Sequence, residues 1–326
     1  MAEVDTLPAH GIPLDGRRPT SMVMDPAAHS IYVLTRAIGG ESTIDVVDPA
    51  RGVVSATIRH VPDAAAVAVA PDRHELYVAG YARKSITVVD TRTRAVTATI
   101  PVGKKPWALR ADPSASVLYV MAGDDFTVID TARRVVTSNV RIDSEFPEVS
   151  RGFTVIDGRL YVPIPRAGEH DWVDGTVSVV EVSTGRVITD IAVGRSPDLV
   201  PDPSGPTIYV VNRCDATISV IDPSTDTVTG PHPVGFDGGG DAAIDPSGRT
   251  LYVTNTGGNT VSEIDLKTMT LVRTHRVGDG PRSPVVDPGT LRVYTADSRA
   301  HRISVLRPAG VPAATRSGRP TRARTP

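Results

Sequence analysis

"LYVTNTGGNTVSEID", residues 251–265, reads as a run of β-formers, a glycine- and asparagine-rich turn, and a second alternating run that closes on an acid. Looser copies recur along the chain. The anchor is a tyrosine among β-formers: Tyr32, Tyr77, Tyr119, Tyr161, Tyr209, Tyr252 and Tyr294, with successive spacings of 45, 42, 42, 48, 43 and 42 residues. Self-similarity at a fixed period of this length is the signature of a repeat architecture.

Other signals fall in fixed order around each tyrosine. An Asp-Pro turn precedes it at Asp25, Asp112, Asp202, Asp245 and Asp287, and the run after it closes at Asp48, Asp90, Asp130, Glu181, Asp222 and Asp265. A third alternating run follows, typified by AVTATIPVG at 95–103, with Val96, Ala98 and Ile100 on one face and Thr97 and Thr99 on the other. Period-2 alternation between turn residues marks half-buried strands. With a short run before each Asp-Pro turn, each unit holds four strands, a to d. Four strands every 40–45 residues predict a β-propeller blade, and seven anchors predict seven blades. No stretch carries a helical stripe.

The YVTN at 252–255, the NTVSEID that follows and the later VGDGPRSP resemble the YVTN-repeat β-propeller family over residues 4 to about 306. The resemblance implies a seven-bladed ring with lactonase-like enzymes among its relatives. The last unit runs out after strand c. LPAHGIPLDGRRP at 7–19 parallels RTHRVGDGPRSP at 273–284, so the N-terminal segment is expected to supply the missing outer strand and leave no open edge. One domain, 1–306, is expected, followed by a disordered tail over 307–326 that is rich in Arg and Pro.

Apolar residues make up 40% of the chain and charged residues 22%, an ordinary globular balance. The net charge of −2 includes five arginines and no acid in the tail, so the ring is more acidic than the whole and no nucleic-acid partner is expected. Cys214 is the single cysteine, so no intramolecular disulfide forms. No signal-peptide core or membrane-length apolar run is present, and a cytoplasmic monomer without membrane contact is expected. There is no G-x-S-x-G, no HExxH and no phosphate loop, so no cofactor is expected.

Function in a propeller sits on the d-to-a and b-to-c connections, which share one face, here called the top. Three departures from the repeat mark candidates there. The fourth unit is longer, inserting PIPRAGEHDWVDG at 163–175; Arg166, Glu169, His170, Asp171 and Trp172 could wall the channel mouth, with His170 as an acid or base. Consecutive Glu169, His170 and Asp171 lack a spaced partner, and no metal site is expected. Four places before the turn acid, the inner strands carry small residues, except Asp198 and Asp241; these could bind a cation or move protons, or simply accept backbone amides. Arg110 could be their counter-charge. GFDGGGD at 235–241 replaces the usual VGxxP turn, whose other copies place Trp107 and Arg282 on the rim. The leading expectation is a binding module that takes a small molecule or protein segment at the top face. The alternative is a lactonase- or lyase-type enzyme using His170, Asp198 and Asp241. The histidines near strand d, among them His275, are expected at the surface.

Overall fold

The structure is a computed structural model that describes residues 4–5, 11–36, 41–112, 116–142, 152–164 and 175–307. They form seven antiparallel sheets in chain order, with no α-helix and one 3-10 turn, Pro71–Arg73, among the described residues. In the sixth blade strand a is Gly239–Ile244, b Thr250–Asn255, c Thr260–Asp265 and d Thr270–Arg276. The opening stretch is therefore the b–c hairpin, in register from Thr250↔Asp265 to Asn255↔Thr260.

Each recurrent residue has a physical task. The anchor tyrosine sits mid-strand in b, where its ring is driven between neighbouring blades; Tyr32, Tyr77, Tyr161, Tyr252 and Tyr294 are at most 2% exposed. Burying a ring of this size stabilises by about 1.5–3 kcal/mol. The turn acids fold back on their own loops: Asp25 Oδ1 accepts from the amides of Ala27 and Ala28 at 3.0 Å, and Asp265 Oδ1 from Thr268 at 2.8 Å. These are Asx turns, which let a carboxylate stand in for a backbone carbonyl. Where strand b ends, Asn255 Nδ2 donates to Thr260 Oγ1 at 2.8 Å and Ser262 Oγ at 3.0 Å, and Asn212 repeats the pattern on Thr217 and Ser219. The asparagine of the repeat motif is thus a lock between strands b and c.

The core lies between blades. One cluster joins Tyr77, Ile86, Val88 and Ile100 of the second blade to Leu118, Val120 and Ile129 of the third. Polar latches on the lower face reach forward around the ring: the Tyr161 hydroxyl donates to Asp226 Oδ1 at 2.8 Å beside an Arg159–Asp226 pair at 2.7 Å, Tyr294 donates to the Pro49 carbonyl, and Arg73 to the Thr131 carbonyl.

The ring closes as expected. Ile12–Pro13 pairs antiparallel with Arg302–Leu306, supplying the outer strand of the seventh blade, and Ile12 and Leu14 are fully buried. A strand that the repeat did not announce, Val4–Asp5, runs parallel to strand d of the sixth blade, Val4 opposite Thr274. One expectation is corrected: His275 is 2% exposed, because its Nε2 lies 2.7 Å from the buried Glu263 carboxylate, and such pairing makes burial of both groups affordable. The tail lies outside the described residues.

Candidate functional site

The inner strands build the channel rim. In five blades strand a shifts register close to its start, at 19/21, 64/66, 106/108, 239/242 and 282/285. Bulges of this kind re-aim side chains at barrel rims and next to sites. Asp241 falls within such a bulge, and its Oδ2 accepts the Ser283 amide of the next blade at 2.8 Å. Ser283, at φ 45°, passes the connection on, its Oγ accepting the Met22 amide of the first blade at 2.9 Å. The Asp241 carboxylate is thus engaged as a clamp between inner strands.

Asp198 faces the other way. Strand a of the fourth blade, Thr154–Ile156, has three residues where the others have five to eight. The two residues before it are met from both sides. Arg110 of the third blade donates from Nε to the Phe153 carbonyl at 3.0 Å, and the Asp198 carboxylate of the fifth blade lies against Gly152, where a Cβ would collide with it. Desolvation pulls the Arg110 guanidinium below its ordinary pKa, and the charge of Asp198 opposes that shift. The charge of Asp198 thus bears on Arg110 across the blade boundary.

Trp107 packs in a cluster with Met121, Phe126 and Phe153, 8% exposed, and its Nε1 donates to the Gly123 carbonyl at 3.3 Å. Arg282 is half-buried on strand a of the seventh blade, and its Nε is buried with no hydrogen-bond acceptor among the described residues. Arg166, Glu169, His170, Asp171 and Trp172 lie outside the described residues. Among those described, no group of three or more His, Cys, Asp or Glu side chains could hold a metal ion.

Sequence reasoning missed how far the rim charges are paired. Arg195 meets Asp215 at 2.5 Å, Lys104 meets Asp125 at 2.8 Å and Arg299 meets Asp279 at 3.0 Å, each joining a d-to-a turn to a b-to-c turn on the top face. Lys105 stands over the Tyr81 ring, 5.0 Å from its centroid. The signal was present in the acids at Asp125, Asp215 and Asp279, which match the basic residues turn for turn.

No protein-family model matches the chain. It is 28% identical over 159 residues to the uncharacterized protein YncE of Salmonella typhi, and equally to that of Salmonella typhimurium; the match covers 47% of this chain and 43% of the relative. The aligned part thus spans less than half the length of these relatives. Among solved structures, Kuenenia stuttgartiensis hydrazine synthase superposes with a TM-score of 0.73 at 21% identity, covering 95% of this chain and 98% of that one. The β-propeller domain of Myceliophteria thermophila Cps50 (Swd1) superposes with a TM-score of 0.70 at 10% identity, covering 89% and 96%. At these identities the likeness is one of fold.

Proposed function

We propose that the chain is a non-catalytic YVTN-type propeller that takes an anionic group, on a small molecule or an acidic protein segment, at the mouth of its channel. The observation that carries this reading is Arg282. A buried N–H on a cation without an acceptor costs about 1–3 kcal/mol or more, and a carboxylate or phosphate oxygen from a ligand would remove that cost. Lys104, Arg195 and Arg299 on the rim have carboxylate partners, so Arg282 is the natural point of attachment. The lactonase- or lyase-type alternative draws less support, because an acid–base pair needs carboxylates free to exchange protons. Asp241 holds a backbone amide and Asp198 lies with Arg110. In the same reading the protein acts as a monomer in the cytoplasm, without nucleic-acid or membrane partners; no helix among the described residues is long and apolar enough to cross a membrane.

Isothermal titration with citrate, inorganic phosphate and an oligoglutamate peptide tests the reading. At least one should bind saturably, and Arg282→Ala should weaken it at least about tenfold, or 1.4 kcal/mol, with Arg282→Lys intermediate. Binding untouched by Arg282→Ala would refute the site. Lactone turnover abolished by Asp198→Asn or Asp241→Asn with the fold intact would favour the enzyme.

A further inference from the structure

The lock between strands b and c is missing from the second, third and fourth blades, which carry Gly80, Ala122 and Ile164 at its position, and only the second keeps, five and seven places on, the hydroxyls it would bond. Three residues past the anchor tyrosine, the fifth, sixth and seventh blades carry Asn212, Asn255 and Asp297, whose side chains bond hydroxyls on strand c: Ser219, Ser262 and Ser304 seven places on, and Thr217 and Thr260 five places on in the fifth and sixth. The first blade uses Thr35 with Thr43 and Asp45. The second blade keeps both hydroxyls, Ser85 and Thr87, at the same two offsets, yet has Gly80 where the amide would stand. A Cβ at Gly80 would meet nothing closer than the Ser85 carbonyl oxygen at 3.3 Å.

Beside this gap, between the first and second blades, is a cavity of about 440 Å³. Its polar lining includes Glu41, His60, Arg83, Ser85, Thr87 and Thr99. None of these six side chains has a hydrogen-bond or ion-pair partner among the described residues, although the positions equivalent to Thr87 in the other blades are all bonded. The hydroxyls of Ser85 and Thr87 are left as they would be if their partner came from outside the chain. Glu41 and Arg83 put opposite charges on one cavity without meeting each other.

We infer that this cavity is a second binding site, distinct from the channel mouth, for a small zwitterion such as a free amino acid or short peptide. Arg83 receives the carboxylate, Glu41 the ammonium, and Ser85 and Thr87 the polar group that Asn212 and Asn255 supply internally elsewhere. A guanidinium pairs with a carboxylate through charge-assisted hydrogen bonds, and separated opposite charges favour a ligand that carries both. The lining has no Phe, Tyr or Trp and a single imidazole, His60, which disfavours a ligand held chiefly by stacking.

The test is isothermal titration of the full chain with individual L-amino acids and glycylglycine, against acetate and ethylammonium, which each offer half of the pattern. Saturable binding by at least one zwitterion is expected, with either half at least about tenfold weaker. Gly80→Asn should abolish it by restoring the internal amide, Arg83→Ala and Glu41→Gln should each weaken it about tenfold or more, and Arg282→Ala should leave it unchanged. If Gly80→Asn does not fold, Thr87→Val serves as the second probe and should weaken binding. No binding of any zwitterion up to about 10 mM, or binding that survives both substitutions in folded protein, would overturn the proposal. Loss of binding with Arg282→Ala would move the zwitterion to the channel mouth instead.

Discussion

Asp297 shows how one residue changes meaning with its surroundings. It is completely buried, accepting from Ser304 Oγ at 2.5 Å, Thr295 Oγ1 at 3.0 Å and the Gly278 amide at 3.1 Å, with Arg302 Nε at 3.5 Å. Burial nonetheless outweighs these partners and pushes its carboxyl above the ordinary value. A carboxyl that ionises less readily in the folded chain makes folding take up a proton. Its contribution is therefore most favourable below the unfolded value, near pH 4, and is lost as pH rises through the folded value. Asp45, buried beside Arg17, is shifted the same way. Asp297→Asn, the residue of the fifth and sixth blades, should flatten the fall in stability between about pH 4 and 7, read as urea midpoints across that range. An unchanged profile would mean that Asp297 titrates alike folded and unfolded. The surface turn acids have the opposite sign: amide donors hold Asp90 and Asp265 below the usual carboxylate range, so their contribution is lost on acidification.

At the scale of the element, the hairpin at 250–265 is held by its amide lock as well as by its ladder. Asn255→Ala removes two hydrogen bonds, one buried and one part-buried, leaves a small void, and should cost about 2–3 kcal/mol in denaturant unfolding. A loss below about 0.5 kcal/mol would show that the lock is incidental. These hairpins were legible in the sequence because everything that specifies them is local: tyrosine, turn acid and asparagine act within a dozen residues of one another. The sites were less so. The engagement of Asp241 with Ser283, and of Arg110 with Asp198, joins residues 42 and 88 positions apart across blade boundaries, and no single-strand pattern records which neighbour a bulge points at. The burial of His275 depends likewise on Glu263 across the sheet. Gly80 was readable in principle, but only by aligning the blades and asking which of them keeps both hydroxyls at those offsets without the residue that bonds them.

The whole molecule depends on its seam. Deleting residues 1–14 exposes the edge of Arg302–Leu306 and removes the buried Ile12 and Leu14, side chains that stabilise by about 1.5–3 kcal/mol each. Aggregation or a large fall in melting temperature should follow, seen by size-exclusion chromatography and thermal denaturation. Deleting residues 1–6 removes only the short parallel strand and should cost much less, and deleting 309–326 should change neither measurement. A 1–14 deletion as soluble and stable as the full chain would sink this account of closure.

The latches between blades add a sense of rotation. Tyr161 and Arg159 of the fourth blade hold Asp226 of the fifth, Asp241 of the sixth holds Ser283 of the seventh, and Ser283 holds Met22 of the first. In each case a blade is fastened by reaching into its successor. Damage is therefore felt upstream of where it is made: an altered Asp226 would loosen the fourth blade before the fifth that carries it. The repeats are alike in sequence, yet at these junctions the fastening runs one way, and a blade is hostage to the next; Arg134 of the third blade, reaching back to Glu75 of the second, runs against that sense.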